Sequence, residues 1–254
     1  WALDYAHERG VSIYVTQNTV LLDEELDEAL AQAEEVYRAG ADALIVQDLG
    51  LAALVRRHLP DFPLHFSTQG TVYDLAGVEA AAALGARRVV LARELSHTEI
   101  RSIADRTSIE LEVFVHGALC QCYSGQCHLS AAIGGRSGNR GTCAQPCRLP
   151  YTLLRSDKPG ATTDNAAGKI VASGYLLSPK DLNLLSQVDK LAASGVASLK
   201  IEGRMKSPEY VALVTAAYRK YLDAYAADGR SRPVDPADQR ELAQIVNRGG
   251  FTTG

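Results

Sequence analysis

The sequence predicts an α/β fold, an incomplete TIM-like (β/α) barrel that carries a Cys-rich loop and a β-hairpin as insertions. Three observations predict it. Short β-branched runs alternate with stretches of helical periodicity, the pattern of parallel strands joined by right-handed crossovers. Six such runs recur, too many for chance and fewer than a closed barrel needs. The repeat is broken once, between the fifth and sixth runs, by a segment of different composition. An open doubly wound sheet is the alternative arrangement of the same elements.

The first run, VSIYVTQNTV (11–20), is apolar and β-branched and reads as a buried strand. Asp23 then opens DEELDEALAQAEEVYRAG, with acids crowding its first turns and Gly40 as a stop. ADALIVQD (41–48) is the second strand and LGLAALVRRHL its helix. LHFSTQ (64–69), RRVVLARE (87–94), LEVFVHG (111–117) and ASLKIEG (197–203) continue the series. YDLAGVEAAAALG, SHTEIRSIADR and PKDLNLLSQVDKLAASG read as the intervening helices. Ser207 before Pro208 caps the longest helix, SPEYVALVTAAYRKYLDAYAAD, and DQRELAQIVNRG reads as a last one. YTLLR and IVASGYLL form the arms of the expected hairpin, with SDKPGATTDNAAGK as its tip.

This gives a barrel core over 1–117 and 197–228. An insertion of loop, hairpin and following helix covers 118–196, and a linker with a C-terminal helix covers 229–254. A start at Trp1 without an initiator Met suggests a piece of a longer protein, with the first strands lying before it.

Composition narrows the function. A formal net charge of −4 excludes a strongly basic protein, so nucleic acid would have to meet a local patch. No signal peptide or membrane-spanning apolar run is visible, which makes the cytoplasm, with its reduced thiols, the expected compartment.

Polar residues fall at the C-terminal ends of the strands, where a barrel carries its active site. They include Gln17, Asn18, Gln47, Asp48, Ser67, Thr68, Gln69, Arg93, Glu94, His116, Lys200, Glu202 and Arg204. Strands reaching the surface become polar for that reason alone, but six doing so together point to a polar pocket.

Residues 115–150 hold all five cysteines with His116, His128, Arg136, Arg140 and Arg148, and no carboxylate. Structural cysteines would be scattered through the core, so clustered thiols indicate a metal, redox or nucleophilic site. Cys120, Cys127, Cys143 and Cys147 could bind an iron–sulfur cluster or zinc, although neither pair has the tight spacing of a zinc knuckle. Cys122 is the odd one out. A thiol protease with His116 or His128 as base is a further possibility, but nothing singles out one nucleophile among the five. The glycine- and arginine-rich GGRSGNRG suits phosphate or carboxylate ligands, or is a solvated loop.

The segments FVHGALCxxYSGQCxLS, GGRSxNRGxCAQPCRLPY, LSPKDL and SLKIEGRMKSPEYV closely resemble the collagenase-like peptidase U32 family, and the resemblance covers essentially the whole chain. It implies one of two activities. One is peptidase action on collagen-like chains. The other is oxygen-independent hydroxylation of ribosomal RNA, of the transfer-RNA wobble uridine or in ubiquinone synthesis, with a [4Fe–4S] cluster and, for RNA, prephenate as the hydroxyl source. Cys120, Cys127 and Cys143 match cluster ligands of the family. The fourth is Cys147, as in the RNA-modifying type, because Asn183 stands where some relatives have a cysteine. CRLPY and SPKDLN look more like the ribosomal-RNA branch. Under this resemblance Arg136, Arg140 and Arg204 would hold phosphate or a dicarboxylate. Gln47 and Gln69 would line the pocket, and His116 or Glu202 would move protons. A non-catalytic iron–sulfur partner subunit, or a need for flanking domains, is the remaining expectation.

Overall fold

A computed structural model describes residues 1–155, 169–245 and 247–254. Its strands in chain order are β1 (Tyr14–Gln17), β2 (Ala43–Val46), β3 (Leu64–Phe66), β4 (Ala86–Val90) and β5 (Glu110–Gly117). Then come β6 (Tyr151–Arg155), β7 (Lys169–Gly174), β8 (Asp181–Asn183), β9 (Ser198–Ile201) and β10 (Phe251–Thr252). β1 to β5 lie side by side in sequence order, each parallel to the next, and β9 continues the parallel series on the far edge of β5. The arc does not close. This mixed α/β sheet of parallel strands and covering helices is the fold class the alternating pattern predicts.

Alternation of side chains across each strand sorts the arc into two faces. Leu44, Val46, Leu64, Phe66, Val89, Leu111, Val113 and Val115 join Ala29, Ala33, Leu51, Val55 and Val78 of the helices in one apolar core. The helices begin where the sequence provides caps. Asp48 Oδ1 accepts from Leu51 N, Asp74 Oδ1 from Gly77 N, and Ser96 with Glu99 forms a reciprocal capping box. Asp48, expected to be a pocket residue, is therefore occupied as a helix cap, and its Oδ2 also accepts from Leu21 N.

The opposite, inner face carries Arg88, Glu112, Phe114 and Lys200, while a register shift after Phe114 sets His116 level with Ile201 on the core face. Glu112 is buried and accepts from Lys200 Nζ at 2.9 Å and from Arg88 Nη1 at 3.3 Å, while Arg88 also pairs with Glu110 at 2.7 Å. Burial raises the Glu112 pKa, but Lys200, Ser198 and Arg88 outweigh it and hold the carboxyl below its usual value.

Two stretches differ from the sequence-based expectation. PKDLNLLSQVDKLAASG is not one helix. It opens as β8, passes through a turn of 3-10 helix (Leu185–Gln187), and only then forms the helix Val188–Ala192. Asp181 and Leu182 are buried, and β8 pairs antiparallel with the end of β5 and parallel with β10. Inter-strand bonding at that point overrides a helical periodicity that is real only from Leu185 onward. The last helix runs Pro236–Gln244, and GGFTTG supplies β10. The hairpin arms are observed as the antiparallel pair β6–β7. Most of its expected tip lies outside the described residues. Among the described residues, no helix is long and apolar enough to cross a membrane.

Replacing Glu112 by Ala should lower unfolding stability by about 3 kcal/mol in a denaturant titration, the low end for a broken buried pair because Arg88 keeps Glu110. A change under ~1 kcal/mol would mean that the inner charges are solvated well enough to stand alone.

Candidate functional site: a thiol-lined cavity at the strand ends

The loop after β5 leaves most of its apolar side chains half-buried or exposed and is fixed by hydrogen bonds at three places. Near its start, buried Ser124 donates its N–H to Glu94 Oε1 at 2.9 Å, and its carbonyl accepts from Thr71 Oγ1 at 2.8 Å. Gly125 follows with φ of +73°. A Cβ there would lie 2.0 Å from the Gln69 carbonyl oxygen, so this close approach requires glycine. Farther on, Arg140 forks onto both oxygens of Glu25 at 2.5 Å and onto the Val20 carbonyl at 2.8 Å, while Val20 N donates to Asn139 O. At its end, Arg148 donates to Ser178 Oγ, Pro179 O and Leu119 O, tying the segment before β8 to the beginning of the loop.

These anchors shape a cavity of about 400 Å³ whose wall includes Cys120, Cys122, Cys127, Cys143 and Cys147. Burial pushes the Cys147 thiol up; Arg148 opposes this, and Cys120, Cys143 and Cys127 add to it. The Cys122 thiol is also raised by burial, and then by Cys127 and Cys120. Cys143 Sγ accepts from Gln145 N at 3.3 Å. As placed, no three Cys, His, Asp or Glu side chains among the described residues stand together in metal-holding geometry. Asn183 lies elsewhere. It borders a second, more open cavity beside β10, and its Oδ1 accepts from Leu185 N.

Cations share the wall. Arg93, Arg148, Arg204, Lys206 and Arg248 border the cavity with, among the described residues, the single carboxylate Glu202, although the chain as a whole is acidic. Burial, and then the charge of Arg248, hold the Arg148 pKa below its ordinary value. Backbone strain gathers here too. The described residues with positive φ other than glycine are Thr71, Gln145 and Met205. The first binds the cysteine loop and the other two border the cavity.

The expected site residues divide accordingly. Gln69, Glu202, Arg204 and the cysteines border the cavity. Arg140 and Arg136 do not border it. Arg140 is committed to Glu25, and Arg136 Nε donates to Thr142 O within the loop at 2.9 Å. Gln47 is also apart, its Oε1 buried without a partner among the described residues. His116 lies behind the cavity wall, buried against Tyr210, Tyr218 and Phe251. Tyr218 Oη donates to Val115 O at 2.7 Å and accepts from Leu184 N. Its 3.4 Å contact with His116 Nδ1 is therefore one in which the ring nitrogen donates. Burial, then the charge of Lys206, push the His116 pKa down to about 4. Arg248 and Lys206 were missed by sequence reasoning. Lys206 follows Arg204 on the loop after β9 and could have been included by position. Arg248 is brought in only by the chain's return through β10.

Thiols and cations gathered at the strand ends of a (β/α) arc define a ligand-binding or catalytic barrel face. The chain belongs to peptidase family U32, whose family model matches residues 1–254. It is 44% identical over 221 residues to the 23S rRNA 5-hydroxycytidine C2501 synthase of Escherichia coli (strain K12), covering 87% of this chain and 32% of that protein. It is 39% identical over 246 residues to tRNA hydroxylation protein P1 of Bacillus subtilis (strain 168), covering 97% and 58%. It is 32% identical over 257 residues to a protein named Collagenase from Porphyromonas gingivalis (strain ATCC BAA-308 / W83), covering 97% and 60%. The chain thus spans about a third of the first relative and less than two thirds of the other two.

His65, on β3, is likewise buried and pushed down to about 4, mainly by desolvation and then by Arg88. Unfolded imidazole titrates near ~6.5, so between about pH 6.5 and about 4 the unfolded chain binds protons that the folded one refuses. Stability should be full above that window and fall as pH drops through it, when followed by denaturant unfolding of the metal-free protein. His116→Phe should flatten the slope. An unchanged slope would assign the loss to other groups.

Proposed function

We propose that this chain is the catalytic part of an oxygen-independent RNA-base hydroxylase. It would hold a [4Fe–4S] cluster on Cys120, Cys127, Cys143 and Cys147 and act on a 23S rRNA cytidine in preference to a transfer-RNA wobble uridine. The observation that carries the proposal is the meeting of these thiols with Arg93, Arg148, Arg204, Lys206 and Arg248 around one cavity. Four thiols meet the donor chemistry of a cluster, and the N–H of Gln145 on Cys143 is the kind of bond that tunes a bound thiolate. Cys147 borders the cavity and Asn183 does not, which supports Cys147 as the fourth ligand. Cluster binding would draw the thiols closer than they stand here. When bound, the cluster supplies one-electron or Lewis-acid chemistry.

The protein's own groups would do the rest. Arg204, Arg248 and Lys206 would bind RNA phosphate and the two carboxylates of prephenate, the proposed hydroxyl source, while Arg148, whose donors brace the loop, would add charge. Glu202 Oε1 accepts from Arg204 N at 2.8 Å, which leaves its other oxygen to take a proton at the cavity wall. His116, neutral near pH 7 and behind the wall, positions the β5 end and the Tyr218 hydroxyl. The names of the E. coli and B. subtilis relatives support RNA hydroxylation.

The collagenase name keeps a peptidase as the second reading. A cysteine nucleophile needs a base beside it, and among the described residues no histidine borders this cavity. Should both activities be absent while a stable complex forms in pull-downs, the chain serves as an iron–sulfur partner.

Purified without oxygen, the protein should carry near-stoichiometric cluster iron. Changing Cys120, Cys127, Cys143 or Cys147 to Ala should each remove most of it, whereas Cys122→Ala should retain it. Zinc, or iron that survives all four changes, would overturn the assignment. Ribosomal RNA from a strain lacking the gene should lose one hydroxylated nucleoside in mass spectrometry. Unchanged ribosomal and transfer RNA, with gelatin cleaved by cluster-free protein, would favour the peptidase.

A further inference from the structure

We propose that Met205 is a wedge that enters the base stack of a folded RNA and fills the gap left when the target base is drawn into the thiol-lined cavity. This rests on the RNA-hydroxylase proposal above and adds how a base reaches the site.

The wedge stands on a tight turn, Gly203 to Lys206, closed by Lys206 N donating to Gly203 O at 3.0 Å. Met205 takes its third position with φ of +63°, where turn chemistry favours glycine or asparagine. The chain's single methionine is therefore held in a strained conformation, and the residue is 94% exposed. Neither turn chemistry nor packing calls for a long apolar residue there. The turn is braced on both sides. Glu202 Oε1 accepts from Arg204 N, and Ser207 Oγ caps the helix Pro208–Asp228 by accepting from Tyr210 N. An apolar side chain is thus presented to solvent from a fixed backbone.

Its surroundings indicate the ligand. Arg204, Met205 and Lys206 all border the cavity, with Arg204 exposed and Lys206 Nζ over the Tyr210 ring at 4.9 Å, so the apolar tip stands beside cationic charge. Nucleic-acid wedges have this pattern, with an apolar side chain between base steps and cations on the flanking phosphates. An enzyme that modifies a base inside a folded RNA must first extrude it, and the vacated stack favours an apolar substitute. The unbranched, polarisable thioether adapts to whichever bases flank the gap.

The test uses full-length, iron-loaded protein and two RNAs: a folded 23S rRNA fragment containing the target cytidine, and a short unstructured oligonucleotide with the same cytidine. Met205→Ala should reduce kcat/KM on the folded fragment by about tenfold or more while changing it less than about twofold on the oligonucleotide, since only the former needs extrusion. Met205→Leu should keep most of the activity. Met205→Gly should keep or raise Tm, because glycine relieves the turn, yet lose the same activity as Ala. Binding of the wild-type protein should raise the fluorescence of 2-aminopurine placed next to the target, and Met205→Ala should not. Equal loss on both RNAs, or no loss on either, would overturn the wedge alone. Wild-type protein inert on both RNAs would overturn the hydroxylase proposal and the wedge with it.

Discussion

Strand β5 pairs with β4 along one edge. Past the end of β4 the same edge pairs with β8 in the opposite direction at His116 and Gly117, while the other edge pairs with β9 in parallel, so that His116 stands between Asn183 and Ile201. A strand end shared by two partners fixes where the chain can leave the sheet. Gly117 makes the exit with φ of +103°, at a point where a Cβ would lie 2.6 Å from the Glu202 carbonyl oxygen. The fork therefore sets together the departure of the cysteine loop, the β9 end that carries Glu202 and Arg204, and the β8 segment to which Arg148 ties the loop back.

The loop itself cannot bury enough apolar surface to hold a shape, so polar anchoring replaces a core. Its arginines illustrate the division of labour. Arg140 and Arg148 spend donors on the frame, whereas Arg204 and Arg248 face the cavity. Anchors on the segments after β1, after β3 and before β8 place the thiols over the mouth of the arc. The positive-φ residues Thr71, Gln145 and Met205 collect along the same seam, which is where a structure would store strain for function.

Beneath the mouth, the inner face of the arc is unlike the apolar core outside it. Glu112, Arg88 and Lys200 neutralise one another, with Arg93 and Lys200 near the face of Phe114 at 5.2 and 5.5 Å. His116, which the register shift in β5 turns to the core face, is kept neutral by burial. Charge is balanced inside and positive at the rim, an arrangement that directs anions to the cavity without drawing them into the sheet.

The sequence alone determined the strand and helix succession, because the periodicities of 2 and 3.6 follow from local backbone geometry. It also determined the cysteine cluster and the motifs that place the chain in its family, and Ser207 with Pro208 marked the long helix directly. Tertiary structure decided what depends on contacts between distant segments. Helical periodicity could not reveal that Asp181–Asn183 would be taken as a strand by β5 and β10, because that choice lies in hydrogen bonds to residues more than sixty positions away. Nor could loop composition separate arginines that brace the loop from those that face the cavity. A guanidinium goes to whichever acceptor the fold brings near, and Glu25, more than a hundred residues from Arg140, is near only once the arc is formed.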